Sequence, residues 1–312
     1  MTKYSMENNI DFIIITYNRP EDCLELLQNI VQLNHASKLL NKLIVVNNAS
    51  PISYAPVEAW IKTVKDINIV YNIAPDNYGV TGGRNYAMQF SDGELLVFID
   101  DDALMQLPDT LLNIQKSFIA PGYDNRPVAI VSFRVLYYPS LVLQRNALAH
   151  KKTDKYKVKK DFFTYYFAGG AHVITKEALG VVGKLPDDFF YGMEEYDLSY
   201  RLIEHGYCIK SDSDIVMLHK ESPLGRKPKK EKIAMMWVNK SRVAWRYLPV
   251  QYFFSTTIMW GLNYLKETNF DVVGFFKTIF GRIVRISSTE KRTPIGKKAL
   301  DYCRQTEARL WY

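Results

Sequence analysis

Cysteine is scarce in this chain of 312 residues. Its three cysteines, Cys23, Cys208 and Cys303, lie far apart, are odd in number and show no spacing typical of a zinc site. These features argue against a disulfide-stabilised scaffold and fit a protein of the reducing cytosol.

The sequence has no clear membrane span or signal segment. Met1 to Asn9 is polar and lacks the apolar core of a signal peptide, so we expect no secretion. Tyr247 to Leu265 carries no formal charge over 19 residues, which approaches the roughly 20 apolar residues of a spanning helix. Pro249, Gln251 and several hydroxyl residues interrupt this stretch, and its polarity argues against a transmembrane helix.

A glycine-rich turn is missing after the first apolar run. Thr16 to Pro20 contains no glycine. The dinucleotide-binding turn Gly-x-Gly-x-x-Gly is therefore absent at this position, which argues against a Rossmann oxidoreductase.

Charge is distributed unevenly along the chain. Residues 1–225 hold 22 Lys and Arg against 27 Asp and Glu, whereas residues 226–312 hold 18 against 6. An acidic body with a strongly basic tail suggests a polyanionic partner, either nucleic acid or an anionic membrane surface. We place the domain boundary in the Lys-, Arg- and Pro-rich segment from Gly225 to Lys232, which gives a catalytic domain over 1–225 and a helical region over 226–312.

Short apolar runs alternate with helical patterns in the first hundred residues, which predicts an α/β fold with a mostly parallel sheet flanked by helices. The predicted strands are Asp11 to Thr16, Leu43 to Val46, Ile67 to Tyr71 and Leu95 to Ile99. Pro20, followed by Glu21 and Asp22, predicts the start of the first helix. Ligands of such sheets bind beyond the carboxyl ends of the strands. All four ends are polar here: Thr16-Tyr17, Asn47-Asn48, Asn77 to Arg84 and Asp100 to Asp102.

Three consecutive aspartates follow the fourth strand. Their mutual repulsion raises the pKa of some of them unless a cation neutralises the group. Carboxylate oxygens suit Mg²⁺ or Mn²⁺ shared with substrate phosphates. A helix N-cap cluster is the alternative, because acids also favour helix starts. The buried run before Asp100 favours the metal site.

Four segments stand out by their order and spacing: Ile14 to Arg19, Val45 to Ser50, Asn77-Tyr78-Gly79 with Gly83-Arg84-Asn85, and Phe98 to Asp102. Together they resemble the donor-binding half of the family 2 inverting glycosyltransferases of GT-A fold. The resemblance covers residues 10 to about 222. It implies a GT-A nucleotide-sugar-binding domain followed by a helical, basic and aromatic-rich appendage.

The resemblance also implies roles for individual residues on the donor side. Thr16, Tyr17, Asn47 and Asn48 would line the nucleotide base, although Asn47 stands where the family commonly has Asp. Arg19, Asn77, Asp101 and Gly170 are further donor-binding candidates. Arg84 would approach the donor phosphates, or else be a surface residue of a helix. Asp100 would contact the ribose and Asp102 would hold the metal ion, with Asp100 and His219 as further ligands. For His219 a structural role remains the alternative.

The segment Phe189 to Arg201 resembles the part of these enzymes that carries the catalytic carboxylate. The family usually has Glu-Asp where this chain has Glu194-Glu195, so position implies that Glu195 is the base. An ordinary solvated helix acid is the alternative. The pattern predicts a helix over Glu194 to Glu204. Glu194, Asp197 and Arg201 are secondary candidates that share a face of it, and we expect Asp197 and Arg201 to form a structural pair.

The expected activity is metal-dependent, inverting transfer of a sugar from a nucleotide-diphosphate sugar to a hydroxyl of a saccharide or lipid-linked saccharide, as in surface polysaccharide assembly. The basic and aromatic tail suits the headgroup boundary of the inner face of the cell membrane, which predicts a cytoplasmic, peripheral protein. Its aromatic residues could instead pack on the catalytic domain. A nucleic-acid partner is not expected, because no binding module is readable.

Two other functions stay open. A sugar-nucleotide pyrophosphorylase shares the broad fold, but its Gly-rich phosphate loop is missing from Thr16 to Pro20. A non-catalytic nucleotide-sugar-binding protein would not need Asp100, Asp102 and Glu195.

Overall fold

The computed structural model describes residues 9–158, 160–225 and 227–311. The expectation for Met1 to Asn9 therefore falls almost entirely outside the described residues, as does Arg226 within the expected domain boundary. Among the described residues, no helix combines the length and the apolarity that crossing a membrane requires.

The first third of the chain alternates strands with helices, as the sequence predicts. Pro20 stands at the start of the first long helix, and Glu21 and Asp22 lie in its first turn, where the helix dipole favours acids. The elements are β1 (Ile10–Thr16), α1 (Pro20–Val31), α2 (Ala36–Leu39), β2 (Leu40–Asn47), α3 (Ala55–Ile61), β3 (Ile69–Ile73), α4 (Gly79–Met88) and β4 (Leu95–Asp100).

These four strands lie side by side in the order β3-β2-β1-β4, all parallel. β1 is central and buried along nearly its whole length. The predicted third strand, Ile67 to Tyr71, is two residues too early, because Leu43 pairs with Ile69. β3 is an edge strand in which four residues are half-buried and Ile73 is exposed, so its hydrophobic pattern marks its limits poorly.

The second part of the sheet is mixed, so the expectation of a mostly parallel sheet is wrong for this half. β8 runs antiparallel to both β4 and β6, β6 runs parallel to β9, and β5 and β7 run antiparallel to β9. Parallel neighbours need a crossover connection, which is usually a helix. The residues described between β6 and β8 form no α-helix, which agrees with their antiparallel pairing. The elements are β5 (Ala103–Met105), α5 (Thr110–Ile119), β6 (Val128–Tyr137), β7 (Phe162–Thr164), β8 (Ala171–Thr175), α6 (Lys176–Val182), α7 (Glu194–Glu204) and β9 (Cys208–His219).

Helices dominate the rest of the chain: α8 (Lys229–Tyr247), α9 (Val250–Glu267), α10 (Val272–Gly281), α11 (Ile286–Thr289) and α12 (Lys297–Gln305). The segment Tyr247 to Leu265 is broken at Leu248-Pro249, between α8 and α9. Several of its aromatic residues pack inward, among them Tyr247, Tyr252 and Phe253, whereas Phe254 is exposed.

Candidate active site

A cleft of about 1020 Å³ opens at the carboxyl ends of β1 and β4. It gathers most of the residues singled out from the sequence. Those that line it are Thr16, Tyr17, Arg19, Asn48, Asn77, Arg84, Asp100, Asp101, Asp102, Gly170, Glu194, Glu195 and His219. Asn47, Asp197 and Arg201 do not belong to this lining.

The three aspartates have different surroundings. Asp100 is half-buried, and its Oδ1 lies 3.1 Å from Nη2 of Arg84. Asp101 is buried and accepts a hydrogen bond from Nη1 of Arg19 at 2.7 Å. Asp102 is buried, and its Oδ2 accepts from the backbone N–H of Ser222 at 2.9 Å. The aspartate run is therefore held in place by separate partners and does not cap a helix, because β5 follows it.

His219 ends β9 and faces Asp102. Its Nε2 lies 3.2 Å from Oδ1 of Asp102, and its Nδ1 lies 2.8 Å from Oε1 of Gln144. Oε1 of Gln144 and Oδ1 of Asp102 can only accept, so these contacts suit a protonated ring that donates from both nitrogens. A neutral ring that keeps its Nδ1 hydrogen on Gln144 would instead offer the lone pair of Nε2 to a cation. Burial lowers the pKa of His219, but the neighbouring Asp102 and Asp100 carboxylates outweigh it, and the net pKa is raised.

Asp100, Asp102 and His219 are suited to a divalent cation. One donor atom from each lies within 4.8 Å of the others. Two carboxylates and one imidazole form a donor set that Mn²⁺ accepts readily and that Mg²⁺ can share with phosphate oxygens. The Gln144 contact fixes the histidine ring, as outer partners of metal ligands commonly do. The residues present therefore fit the metal that the sequence predicts.

Arg19 compensates charge beside this site. Its Nη1 lies 2.7 Å from Oδ1 of Asp101 and 3.2 Å from Oδ2 of Asp102. Its Nε donates to the carbonyl of Leu224 at 2.7 Å. Burial nevertheless raises the pKa of Asp101 to about 6. In this structure Arg19 therefore binds the aspartates, in addition to facing the expected donor site.

The two asparagines at the end of β2, Asn47 and Asn48, bind other groups of the protein itself. Oδ1 of Asn47 accepts from the backbone N–H of Ser50 at 2.8 Å, so this oxygen has a partner within the protein and keeps one further lone pair. Asn48 donates to Oδ1 of Asn77 and to the carbonyl of Gly79, both at 3.1 Å. Asn48 thus holds the loop before α4 at the edge of the cleft.

Arg84 connects the two halves of the cleft. It is buried, and its Nη1 lies 3.0 Å from Oε1 of Glu194 while its Nη2 reaches Asp100. A guanidinium fork that binds two carboxylates fixes both in position. The alternative of an exposed helix residue is wrong for Arg84.

Glu195 lies at the N-terminal end of α7, whose limits match the predicted helix. Burial and the neighbouring Glu194 carboxylate raise its pKa above the ordinary value of 4.5. Such a shift is typical of a general acid or base. The alternative of a solvated helix acid does not fit this environment.

Gly169 and Gly170 leave space for the carboxylates of Glu195 and Asp100. A Cβ on Gly169 would lie 2.5 Å from Oε1 of Glu195, and one on Gly170 would lie 2.1 Å from Oδ2 of Asp100. The pair before β8 therefore permits close approach of protein side chains.

Two lysines lie near Glu195 beside Tyr166 and Tyr196, whose ring centroids are 4.4 Å apart with the rings tilted by 30°. Nζ of Lys151 is 5.1 Å from the ring centroid of Tyr166, and Nζ of Lys240 is 2.8 Å from that of Tyr196. The charge of Lys151 lowers the pKa of Glu195 and so opposes the effect of burial. Neither lysine stands out in the sequence as a site residue, because neither belongs to a motif.

Asp197 and Arg201 form the pair expected from their spacing. Oδ1 of Asp197 accepts from Nε of Arg201 at 2.8 Å, and its Oδ2 accepts from Nη1 of Arg246 at 3.0 Å and from the hydroxyl of Tyr247 at 2.9 Å. These bonds hold α8 against α7, the helix that carries Glu195.

A family model described as "Glycosyl transferase family 2" matches residues 11–182, more than half of the chain. An uncharacterised protein of Haemophilus influenzae is 29% identical over 185 residues, which cover 58% of this chain and 94% of that protein.

Solved structures similar to this chain share its fold at low identity. GalNAc-T7 with UDP, GalNAc and Mn²⁺ aligns with a TM-score of 0.62 and 13% identity over 91% of this chain, which spans only 58% of that protein. The mannosyltransferase PcManGT of Pyrobaculum calidifontis, in complex with GDP-Man and Mn²⁺, aligns with a TM-score of 0.58 and 18% identity. The alignment covers 99% of this chain and 82% of that protein. TarS 1-349 of S. aureus in complex with UDP-GlcNAc aligns with a TM-score of 0.57 and 13% identity. The alignment covers 96% of this chain and 90% of that protein.

Proposed function

The chain belongs to glycosyl transferase family 2, and we propose that it moves a sugar from a nucleotide-diphosphate sugar to an acceptor hydroxyl with inversion at the anomeric carbon. The observation that carries this proposal is the convergence of Asp100, Asp102, His219 and Glu195 on one cleft. Relatives of the same fold that were solved with GDP-Man or UDP-GlcNAc support a nucleotide-sugar donor.

Asp100, Asp102 and His219 would hold Mn²⁺ or Mg²⁺. When bound, the ion supplies positive charge that stabilises the leaving nucleoside diphosphate. Gln144 keeps the His219 lone pair directed toward the site. Arg84 keeps Asp100 in place while bound to Glu194, so the donor side and the acceptor side keep a fixed separation.

Glu195 acts as the general base in this proposal. Its carboxylate takes the proton of the acceptor hydroxyl while the hydroxyl oxygen bonds to the anomeric carbon. The bond from that carbon to the diphosphate oxygen breaks, and its electron pair leaves with the nucleoside diphosphate. One displacement inverts the configuration, and no covalent intermediate forms. The raised pKa of Glu195 brings its proton affinity closer to what a base needs near neutral pH.

The test replaces Glu195 with glutamine, which keeps the shape and removes the base. We expect donor affinity in calorimetry to stay within a few-fold, while transfer falls by about 10²–10⁴-fold. Glu204→Gln at the far end of the same helix is the matched control. Near-normal transfer by the Glu195 variant would refute the role.

A panel of nucleotide sugars, assayed for release of nucleoside diphosphate with and without Mn²⁺, identifies the base and the sugar. Production of a nucleoside triphosphate from a sugar nucleotide and pyrophosphate would instead favour a pyrophosphorylase. Donor binding without any turnover would favour a non-catalytic binding protein.

The acceptor in this proposal is a saccharide, free or lipid-linked, in surface polysaccharide assembly at the inner face of the cell membrane. The basic balance of residues 226–312 supports an anionic membrane partner. Arg242 and Arg246 of this region are half-buried and paired with Glu290, so other basic residues have to face the lipid. We retain the division into a catalytic domain (1–225) and a C-terminal helical region (226–312) as part of the proposal.

A further inference from the structure

Helices α9 and α10 present an outer surface that is unusually apolar. On α9 it consists of Phe254, Ile258 and Leu262, and on α10 of Val273, Phe276 and Phe280. These six side chains are between 49% and 80% exposed. Their spacing of three or four residues places each set on one stripe of its helix. We call these six residues the outer face.

The inner sides of the same helices are packed, so the outer face is not a consequence of a loosely attached helix. The ring of Phe275 stacks on Trp237 of α8 at 5.2 Å between centroids. A Cβ on Gly261 of α9 would lie 2.9 Å from Trp237 and 3.1 Å from Phe275, so these helices are in close contact. Large exposed apolar patches on packed proteins mark an interaction surface.

Charge around the outer face indicates its partner. Lys266, Lys277, Arg282 and Arg285 are exposed in or just beyond the two helices. The two acids of this stretch, Glu267 and Asp271, are already paired with Lys229 and Lys230. Apolar side chains with basic residues beside them suit an anionic bilayer, in which the apolar groups enter the acyl boundary and the cations meet the headgroups. A symmetric dimer through this face would bring like charges together.

One side of α9 forms part of the cleft wall. Trp260, Asn263 and Glu267 of α9 line the cleft. At about 100° per residue they lie on the side of the helix opposite to Ile258, the centre of the outer stripe. One helix thickness, about 10–12 Å, therefore separates the cleft wall from the proposed lipid surface.

We propose that the outer face docks on an anionic lipid bilayer and that the acceptor reaches the cleft from that bilayer across α9. The second part rests on the transferase function proposed above. An acceptor hydroxyl about 10 Å beyond the headgroup boundary requires a polar linker between lipid and sugar. Lys227 and Lys232 line the cleft on this side. Their charge favours an anionic linker, such as a phosphate or diphosphate.

The test is flotation of the full chain with vesicles of phosphatidylcholine, with and without phosphatidylglycerol. We expect binding to vesicles that contain phosphatidylglycerol, and Phe276→Ser with Phe280→Ser should weaken it by at least about tenfold for each residue. Both side chains are exposed, so the variant should fold. Ile73→Ser with Val181→Ser, two exposed apolar residues on β3 and α6, is the matched control and should bind as the unaltered chain does.

Equal flotation of the outer-face variant and the control would overturn the docking proposal. The docking proposal would also be overturned if the unaltered chain dimerised with rising concentration without binding vesicles and only the outer-face variant lost the dimer. Flotation that does not depend on phosphatidylglycerol would overturn the choice of an anionic bilayer. Donor hydrolysis without vesicles is measured in parallel and should be equal in all variants. If the unaltered chain floats but no nucleotide sugar is hydrolysed or transferred, the transferase proposal fails and the docking proposal stands.

Discussion

Replacing Gly170 by alanine should weaken binding of the proposed divalent cation while leaving the fold in place. The new Cβ would lie 2.1 Å from Oδ2 and 2.2 Å from Cγ of Asp100, so the carboxylate must move by more than 1 Å to reach ordinary contact distance. Metal–ligand distances tolerate about 0.2 Å. Asp100 is therefore lost as a ligand. Loss of an outer-shell partner alone costs about 10–100-fold in metal affinity, and the loss of a direct ligand should cost at least as much.

The fold should tolerate this change. Asp100 carries its carboxylate at the end of a side chain that is 38% exposed, so it can turn toward solvent. Gly170 does not have a positive φ, so alanine adds no backbone strain. We expect a stability loss of about 1 kcal/mol, at the low end of overpacking effects. Arg84 keeps its contact with Glu194.

Two matched variants make the test specific. Gly169→Ala places a Cβ 2.5 Å from Oε1 of Glu195, so it should impair transfer while Mn²⁺ binding persists. In Gly180→Ala the new Cβ meets nothing within 4 Å, and alanine in helix α6 should stabilise the protein by about 0.5–1 kcal/mol. The assays are calorimetric titration with Mn²⁺, donor hydrolysis and thermal melting. Unchanged Mn²⁺ affinity in Gly170→Ala would refute the assignment of Asp100 as a ligand.

Further predictions concern the surroundings of the same site. Gln144→Leu removes the acceptor of the Nδ1 hydrogen of His219, so Mn²⁺ affinity should fall about 10–100-fold in calorimetry; unchanged affinity would exclude an orienting role. Arg246→Ala removes one partner of the buried Asp197, which keeps Arg201 and Tyr247, and should destabilise the fold by about 1–3 kcal/mol in urea unfolding. Lys151→Met removes a charge that lowers the pKa of Glu195. That pKa should rise, and because the base must be deprotonated, the acid limb of kcat/KM should move to higher pH; a shift to lower pH would contradict the placement of Lys151.

The ends of β1, β2 and β4 could be predicted to within one residue because local sequence determines them. Each apolar run of the parallel part stops at a polar cluster, and parallel strands bring their carboxyl ends to one edge of the sheet. The limits of α7 followed from its helical pattern in the same way. The direction of β8 could not be predicted from local pattern, because a buried strand shows the same apolar run whether its neighbours are parallel or antiparallel to it.

The sequence could not show which side chains of the site bind each other. Arg84 and Glu194 are 110 residues apart, so a pattern can mark each but cannot show that they bind each other. Gln144 lies between β6 and β7 in a segment without periodicity and belongs to no motif, so nothing in the sequence signals that it orients His219. For Asn47 the strand-end position predicts contact with a base, and the structure adds a partner that the pattern does not show. Its amide oxygen accepts from a backbone N–H three residues later.

A continuous set of packed contacts joins the outer face to the helix of Glu195. Phe275 of α10 stacks on Trp237 of α8, and the other end of α8 binds the buried Asp197 of α7 through Arg246 and Tyr247. These contacts are already formed without any bilayer, so docking has no bond to complete in the site. A docked bilayer should therefore act by orientation and effective concentration. It should lower the KM for a lipid-borne acceptor and leave donor hydrolysis unchanged, whereas a conformational switch would change both.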